Sequence, residues 1–187
     1  MPSSFVFETP LGFFALSWSD AGLKRLVLPE PDFSSALRRL AGRGATETPE
    51  FADEADLPDR IAKIVADIRR YAAGETIDFS AIAVDLSGVD DFRRAIYEAA
   101  RKLAQGEAVT YGELARRAGF PGRAQETGVA LGRNPVPLVI PCHRIVAAGG
   151  KLGGFSAPGG SATKARLLAH ERARVTPRDT AQASFAF

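Results

Sequence analysis

The 187-residue sequence predicts an α/β + all-α architecture, an α/β domain followed by a helical one, and three observations carry that prediction. Short apolar runs broken by turn residues open the chain, which is a strand pattern. From about residue 91 the apolar positions recur at helical spacing instead. Charge changes at the same place: residues 1–89 hold 9 Lys/Arg and 14 Asp/Glu and residues 90–187 hold 15 and 8, so a half of −5 precedes a half of +7. A basic half suits a polyanionic partner and equally suits a solvated surface.

Phe5–Phe7 and Phe13–Trp18 flank a turn at Pro10-Leu11-Gly12, and Asp20-Ala21-Gly22 turns into Leu23–Leu28, giving strands in meander order. Residues 41–56, rich in Gly, Ala, Thr and acids, read as loop. Leu57, Ile61, Ile64, Val65, Ile68 and Tyr71 then mark a helix with Pro58 in its first turn and Gly74 after its end. Residues 78–87 read as an edge or linker segment.

Phe92, Ile96, Ala99 and Leu103 form the first stripe of the helical half, ended by Gly106. Thr110 followed by Glu113 is a capping-box pattern, so a short helix is expected over 111–118. A break at Gly119–Gly122 precedes a second short helix over about 123–131. Two short helices around a glycine turn are a helix-turn-helix pattern, whose second helix is the natural reader of DNA. Asn134-Pro135-Val136-Pro137 cannot continue a helix, because prolines lack the amide donor. Leu138–Ile140 reads as a short buried strand, and a last helix spans about 161–171. The expected domains are 1–88 and 89–173, with 174–187 as a loose tail.

Composition excludes several classes. Hydrophobic residues make up 45% and charged residues 25%, as in ordinary globular chains. No apolar run approaches the roughly 20 residues that span a bilayer, so no membrane is expected. The N-terminus lacks the pattern of a secretory signal. A single cysteine excludes an internal disulfide and fits a reducing, cytoplasmic setting.

That cysteine, Cys142, is the main chemical candidate. A lone cysteine is by default a small buried hydrophobe. Here Val139-Ile140-Pro141 make a stiff approach, since proline fixes its own φ and extends the residue before it. His143 supplies a base, and Arg144 favours the thiolate, the form that attacks. A carboxylate to orient the histidine must come from elsewhere, and Glu171 on the last helix is the candidate.

Tyr111-Gly112-Glu113-Leu114-Ala115, Asn134-Pro135, Pro141-Cys142-His143-Arg144, Gly153–Phe155, and Lys164 with Leu167-Leu168-Ala169-His170-Glu171 appear in that order and spacing. Together they resemble the O6-alkylguanine-DNA alkyltransferases, over about residues 91–172. The likeness of residues 1–88 is weaker and rests on Thr9-Pro10-Leu11-Gly12 and the Gly22-Leu23 turn.

The resemblance implies a ribonuclease-H-like α/β N-terminal domain beside the helical domain. It also implies direct-reversal repair by a monomer of double-stranded DNA bearing O6-alkylguanine, approached through the minor groove with the damaged nucleotide flipped out. In that scheme Cys142 accepts the alkyl group once and irreversibly, so the chain is a single-turnover methyltransferase without a cofactor. His143 activates the thiol through water, Glu171 holds the histidine, and Tyr111 donates to the departing guanine. Asn134 forms the bend before the active-site segment. Phe155, Ser156, Pro137 and Lys164 are the implied substrate contacts. Gln125, Arg123, Thr127, Gly128, Ala130, Arg133 and Arg144 are the implied DNA contacts.

The sequence departs from the family pattern at three places. Gln125 stands where the reading helix ordinarily carries an intercalating arginine, which loses a charge and a planar stacking surface. Phe155 stands where tyrosine is common. Ala157-Pro158 lengthen the glycine loop. One cysteine and two histidines cannot assemble the usual Cys/His zinc site, so no metal is expected. Two rivals stay open at this point: a lesion-binding relative that transfers little or nothing, and a hydrolytic cysteine enzyme, which needs an oxyanion hole and turnover.

Overall fold

The computed structural model describes residues 3–42 and 52–175, and these divide into two compact units. The first runs through Asp90 and also takes in Asn134–Ile140. The second comprises Asp91–Arg133 and the chain from Pro141 onward. Sequence had placed all of 89–173 in one domain; the proline-rich segment belongs by contact with the N-terminal unit instead.

In the first unit β1 (Ser4–Thr9), β2 (Gly12–Ser19) and β3 (Gly22–Glu30) form the expected antiparallel meander. The register places Phe5 opposite Leu16, Val6 opposite Ala15 and Phe7 opposite Phe14. Alternation then sends Val6, Ala15 and Val27 to one face, where they pack with Ala36 and Leu40 of α1 (Phe33–Ala41). Phe7 points to the other face, where the Arg69 guanidinium of α2 (Asp59–Ala72) stacks 5.6 Å from its ring centre. A sheet covered on both faces reads as nearly continuous apolar runs, which is what residues 5–28 show.

The expected loop 41–56 falls mostly on residues outside the described ones; within it Glu54–Asp56 form a single 3-10 turn. Helix α1 was not foreseen. Its start was nevertheless legible, since Asp32 caps it by accepting from the Ser35 amide at 2.8 Å. Residues 78–87 strap along β3: the Leu23 amide donates to Ala83 and the Asp85 amide to Leu23, both at 2.9 Å. Gly22 permits this, at φ 141, because a Cβ there would come within 2.5 Å of the Ala83 carbonyl.

Leu138–Ile140 is not a strand, which corrects the sequence expectation. The stretch is a tight buried turn, with Leu138 at φ 78. Pro135 and Pro137 remove two ladder donors, and the Asn134 side chain closes the turn. Its amide donates to the Ile140 carbonyl at 2.8 Å, and its oxygen accepts from the Val136 amide at 3.0 Å.

The second unit begins with α3 (Asp91–Arg101), whose buried Tyr97 hydroxyl donates to the Ala130 carbonyl of α5 (Ala124–Gly132) at 2.8 Å. Between them, α4 (Tyr111–Arg117) starts at Thr110, whose hydroxyl accepts from the Glu113 amide at 3.2 Å. Phe92 of α3 meets Phe120 of the α4–α5 connection edge-on, 4.9 Å between centres. Three very short strands went unforeseen: β4 (Glu107–Thr110) lies between β5 (Ile145–Val146) and β6 (Arg174–Val175), parallel to both. Residues 174–175, expected as the start of a loose tail, pair in this sheet. The unit closes with α6 (Ser161–His170). Among the described residues no helix is long and apolar enough to cross a membrane.

Candidate active site

Cys142, His143 and Arg144 form one 3-10 turn between Pro141 and β5. Parallel pairing of β5 with β4 fixes the end of this turn, with Ile145 opposite Val109 and Val146 opposite Thr110. Thr110 in turn caps α4, so the same short sheet anchors both the cysteine turn and Tyr111.

His143 is fully buried, and its Nε2 lies 2.8 Å from Oε1 of Glu171. Arg144 Nε donates to Oε2 of the same carboxylate at 2.8 Å and Nη2 to Oε1 at 2.9 Å, while Nη1 donates to the Leu103 carbonyl at 2.7 Å. Burial acts to raise the Glu171 pKa, but the hydrogen bonds and charges of His143 and Arg144 outweigh it and hold the carboxyl well below its usual range. Burial also dominates at His143 and lowers its pKa against the opposing pull of Glu171, so the imidazole is neutral near pH 7. An ionised carboxylate at 2.8 Å can only accept a hydrogen bond, which places the single ring proton on Nε2. Nδ1 is then a buried acceptor, and it has no hydrogen-bond partner among the described residues.

Cys142 is also largely buried, at 7% exposure. Tyr111 heads α4, and its hydroxyl donates to the Gly154 carbonyl at 3.3 Å. Burial, and after it the Cys142 charge, raise the phenol's pKa, so it stays protonated. Gly153 holds the approach: at φ 71, a Cβ there would sit 3.2 Å from the Tyr111 ring. Lys164, with no exposed surface, directs Nζ toward the Tyr111 hydroxyl at 3.5 Å and the Gly154 carbonyl at 3.4 Å. It also lies 5.5 and 5.7 Å from the ring centres of Tyr111 and Phe155. Burial lowers its pKa from 10.5 to about 8, with the Cys142 charge opposing.

Several expected contacts fall differently. Arg144, expected at a DNA surface, is only 5% exposed, and its guanidinium is committed to Glu171 and Leu103. Thr127 and Ala130, also expected to face DNA, are buried at 0% and 2%, because α5 turns that side toward α3 and α4. Gln125, Arg133 and Arg123 are exposed, and Gly128 is half-buried. Arg123 lies 4.6 Å over the Phe92 ring and pairs with Glu126 at 3.2 Å, so part of its charge is balanced locally. Lys164 lies beneath Tyr111 and Phe155 rather than open to a ligand. Phe155 is half-buried and Ser156 exposed; the added Ala157-Pro158 fold into the turn leading to α6, where Gly160 N donates to Ala157 O at 2.9 Å. Pro137 is half-buried in the Asn134 turn.

A reduced thiol one residue from a buried His–Glu pair, with a protonated phenol and a buried ammonium in the same unit, is an arrangement that suits a protein using a cysteine nucleophile. Residues 91–173 match the family model described as 6-O-methylguanine DNA methyltransferase, DNA binding domain. A methylated-DNA–protein-cysteine methyltransferase of Mycolicibacterium paratuberculosis is 34% identical over 165 residues, covering 88% of this chain and 89% of the relative. One from Mycobacterium leprae is 36% identical over 146 residues, covering 73% and 86%. A crystal structure described as Mycobacterium tuberculosis OGT in complex with DNA superposes with a TM-score of 0.69 at 29% identity, covering 90% of this chain and 92% of that one. The chain belongs to the O6-methylguanine-DNA methyltransferase family.

Proposed function

We propose that this protein repairs DNA by direct reversal, transferring an alkyl group from O6-alkylguanine to Cys142 in a single, irreversible turnover. The observation that carries the proposal is the neutral His143, tethered through Nε2 to Glu171, with an open buried acceptor at Nδ1 one residue from the thiol. The thiol proton is relayed to that nitrogen. The sulfur forms a bond to the alkyl carbon as the carbon–O6 bond breaks, and the electron pair passes to the purine. Tyr111 supplies the proton that completes guanine, and the Lys164 ammonium stabilises the phenolate left behind. Solvent then returns a proton to the phenol and removes one from His143. The product is a thioether, a poor leaving group, and the chain has no second thiol to remove it.

An alkyl carbon inside a stacked duplex is closed to in-line attack, so the nucleotide is flipped out. The exposed face of α5 with Gln125, continued by Arg133 just past its end, is the DNA-reading surface of a helix-turn-helix, placed in the minor groove. The β1–β3 meander belongs in the same scheme to a ribonuclease-H-like domain. The protein works as a monomer in a reducing cytoplasm.

Intact mass before and after incubation with a duplex containing one O6-methylguanine tests the proposal. A gain of one methylene unit is expected, capped at one per protein and absent from Cys142→Ser. Binding without any mass gain would leave only lesion recognition.

A further inference from the structure

We infer that Arg144 is a positioning residue which, by neutralising Glu171, keeps His143 in the neutral form with its proton on Nε2. The inference rests on the transfer reading above and adds to it a residue that reaches neither DNA nor the alkyl group.

A histidine beside a lone buried carboxylate ordinarily becomes an imidazolium, because the opposite charge favours its protonated form. An imidazolium has no lone pair with which to take a thiol proton. Here the carboxylate does not stand alone. Arg144 bonds both of its oxygens, at 2.8 and 2.9 Å, and shares Oε1 with His143. Glu171 therefore acts on the imidazole mainly as a hydrogen-bond acceptor rather than as an uncompensated charge. The third guanidinium nitrogen is tied to the Leu103 carbonyl, which fixes the plane of the fork. Arginine meets this need where lysine does not: a planar, permanently charged fork satisfies both carboxylate oxygens at once.

The charged groups acting on His143 are Glu171 and Lys164 from the α6 segment and Arg144 from its own turn, which also holds the titratable Cys142. Arg144 and Lys164 both oppose protonation, Glu171 favours it, and burial supports the neutral form. Removing Arg144 leaves Glu171 uncompensated and tips that balance toward the imidazolium.

The test follows the His143 imidazole by nitrogen-15 NMR across pH 5–9, in a His170→Asn background so that one histidine is observed. The parallel readout is the rate of the mass gain on O6-methylguanine duplex. In the parent, the His143 midpoint lies below the ordinary value of 6.5, and the neutral ring carries its proton on Nε2. Arg144→Gln is expected to raise the titration midpoint by about one unit or more, and to cut transfer about two- to fivefold at pH 6.5 with a smaller loss at pH 8.5. Arg144→Lys, which keeps a cation but loses the fork, shifts the midpoint the same way by less. This variant decides the matter should the glutamine variant not fold. Arg144→Gln with Glu171→Gln removes both charges and returns the midpoint toward the parent's. A midpoint that Arg144→Lys leaves in place, or one that stays high in the double variant, overturns the inference. The NMR titration needs no transfer, so a parent that never gains mass would refute the repair reading alone.

Discussion

Lys164→Met should stabilise the fold while slowing transfer. Lys164 has no exposed surface, and its pKa falls from 10.5 to about 8 because burial penalises the ammonium. At roughly 1.4 kcal/mol per unit, holding that charge inside the fold costs about 3 kcal/mol at neutral pH. Methionine has a similar length and fills the site without the charge. The bonds it gives up, to the Tyr111 hydroxyl at 3.5 Å and the Gly154 carbonyl at 3.4 Å, are long and return little. A net gain of about 2 kcal/mol is therefore expected at pH 7.

The sign of the pH dependence separates this cause from improved packing. Between pH 8 and 10.5 the unfolded lysine binds more proton than the folded one, so the parent gains stability as pH rises through that window. The variant lacks this slope, and its advantage should shrink steadily and vanish near pH 10.5. Urea unfolding of parent and variant at pH 7, 8.5 and 10 measures the difference directly. An advantage independent of pH, or a variant less stable than the parent at pH 7, refutes the reasoning. Transfer should fall in the same variant, because the cation beside the Tyr111 hydroxyl is gone.

Replacing Gln125 with Arg adds a charge on the exposed face of α5 and should raise the second-order rate on lesion duplex by roughly three- to tenfold at low salt; an equal or lower rate removes Gln125 from the interface. Acid should weaken the fold in two steps. His143, with its folded pKa depressed below 6.5, destabilises progressively as pH falls through 6.5, and Glu171, depressed below 4.5, withdraws its contribution as pH falls further. Urea midpoints that hold flat from pH 7 to pH 5 would contradict the first step. Gly153→Ala should destabilise by about 1–2 kcal/mol and slow transfer, since φ 71 strains alanine and its Cβ would press on the Tyr111 ring at 3.2 Å; unchanged unfolding and transfer would show the loop free to adapt.

What the sequence made legible follows the range of each interaction. The meander, α2 and the α4–α5 pair are local: apolar period, turn residues and a threonine cap lie within a few positions of one another. Strands of two to four residues, such as β4, β5 and β6, carry too few positions for a period to emerge, and a partner 35 or more residues away defines them. Leu138–Ile140 reads as a strand because its side chains are apolar and buried, yet the Asn134 amide closes it into a turn. Burial and strand geometry are separate properties, and only the first shows in the letters.

The same distinction explains Arg144. Beside His143, in a basic half, it reads as a surface cation, and nothing nearby in sequence contradicts that. Its partners are Glu171 and the Leu103 carbonyl, 27 and 41 positions away. Once those contacts exist, a surface location is excluded, because a buried carboxylate shared with a buried histidine needs a compensating charge. Thr127 and Ala130 follow a parallel logic on α5, where helical phase sends two implied DNA contacts inward while Gln125 remains outside. The unit thus buries a glutamate, an arginine, a histidine and a lysine together with its single thiol. The Glu171 carboxylate and the Arg144 guanidinium are each tolerable there only through the other, so a change at either should alter both the stability of the fold and the proton equilibrium at His143.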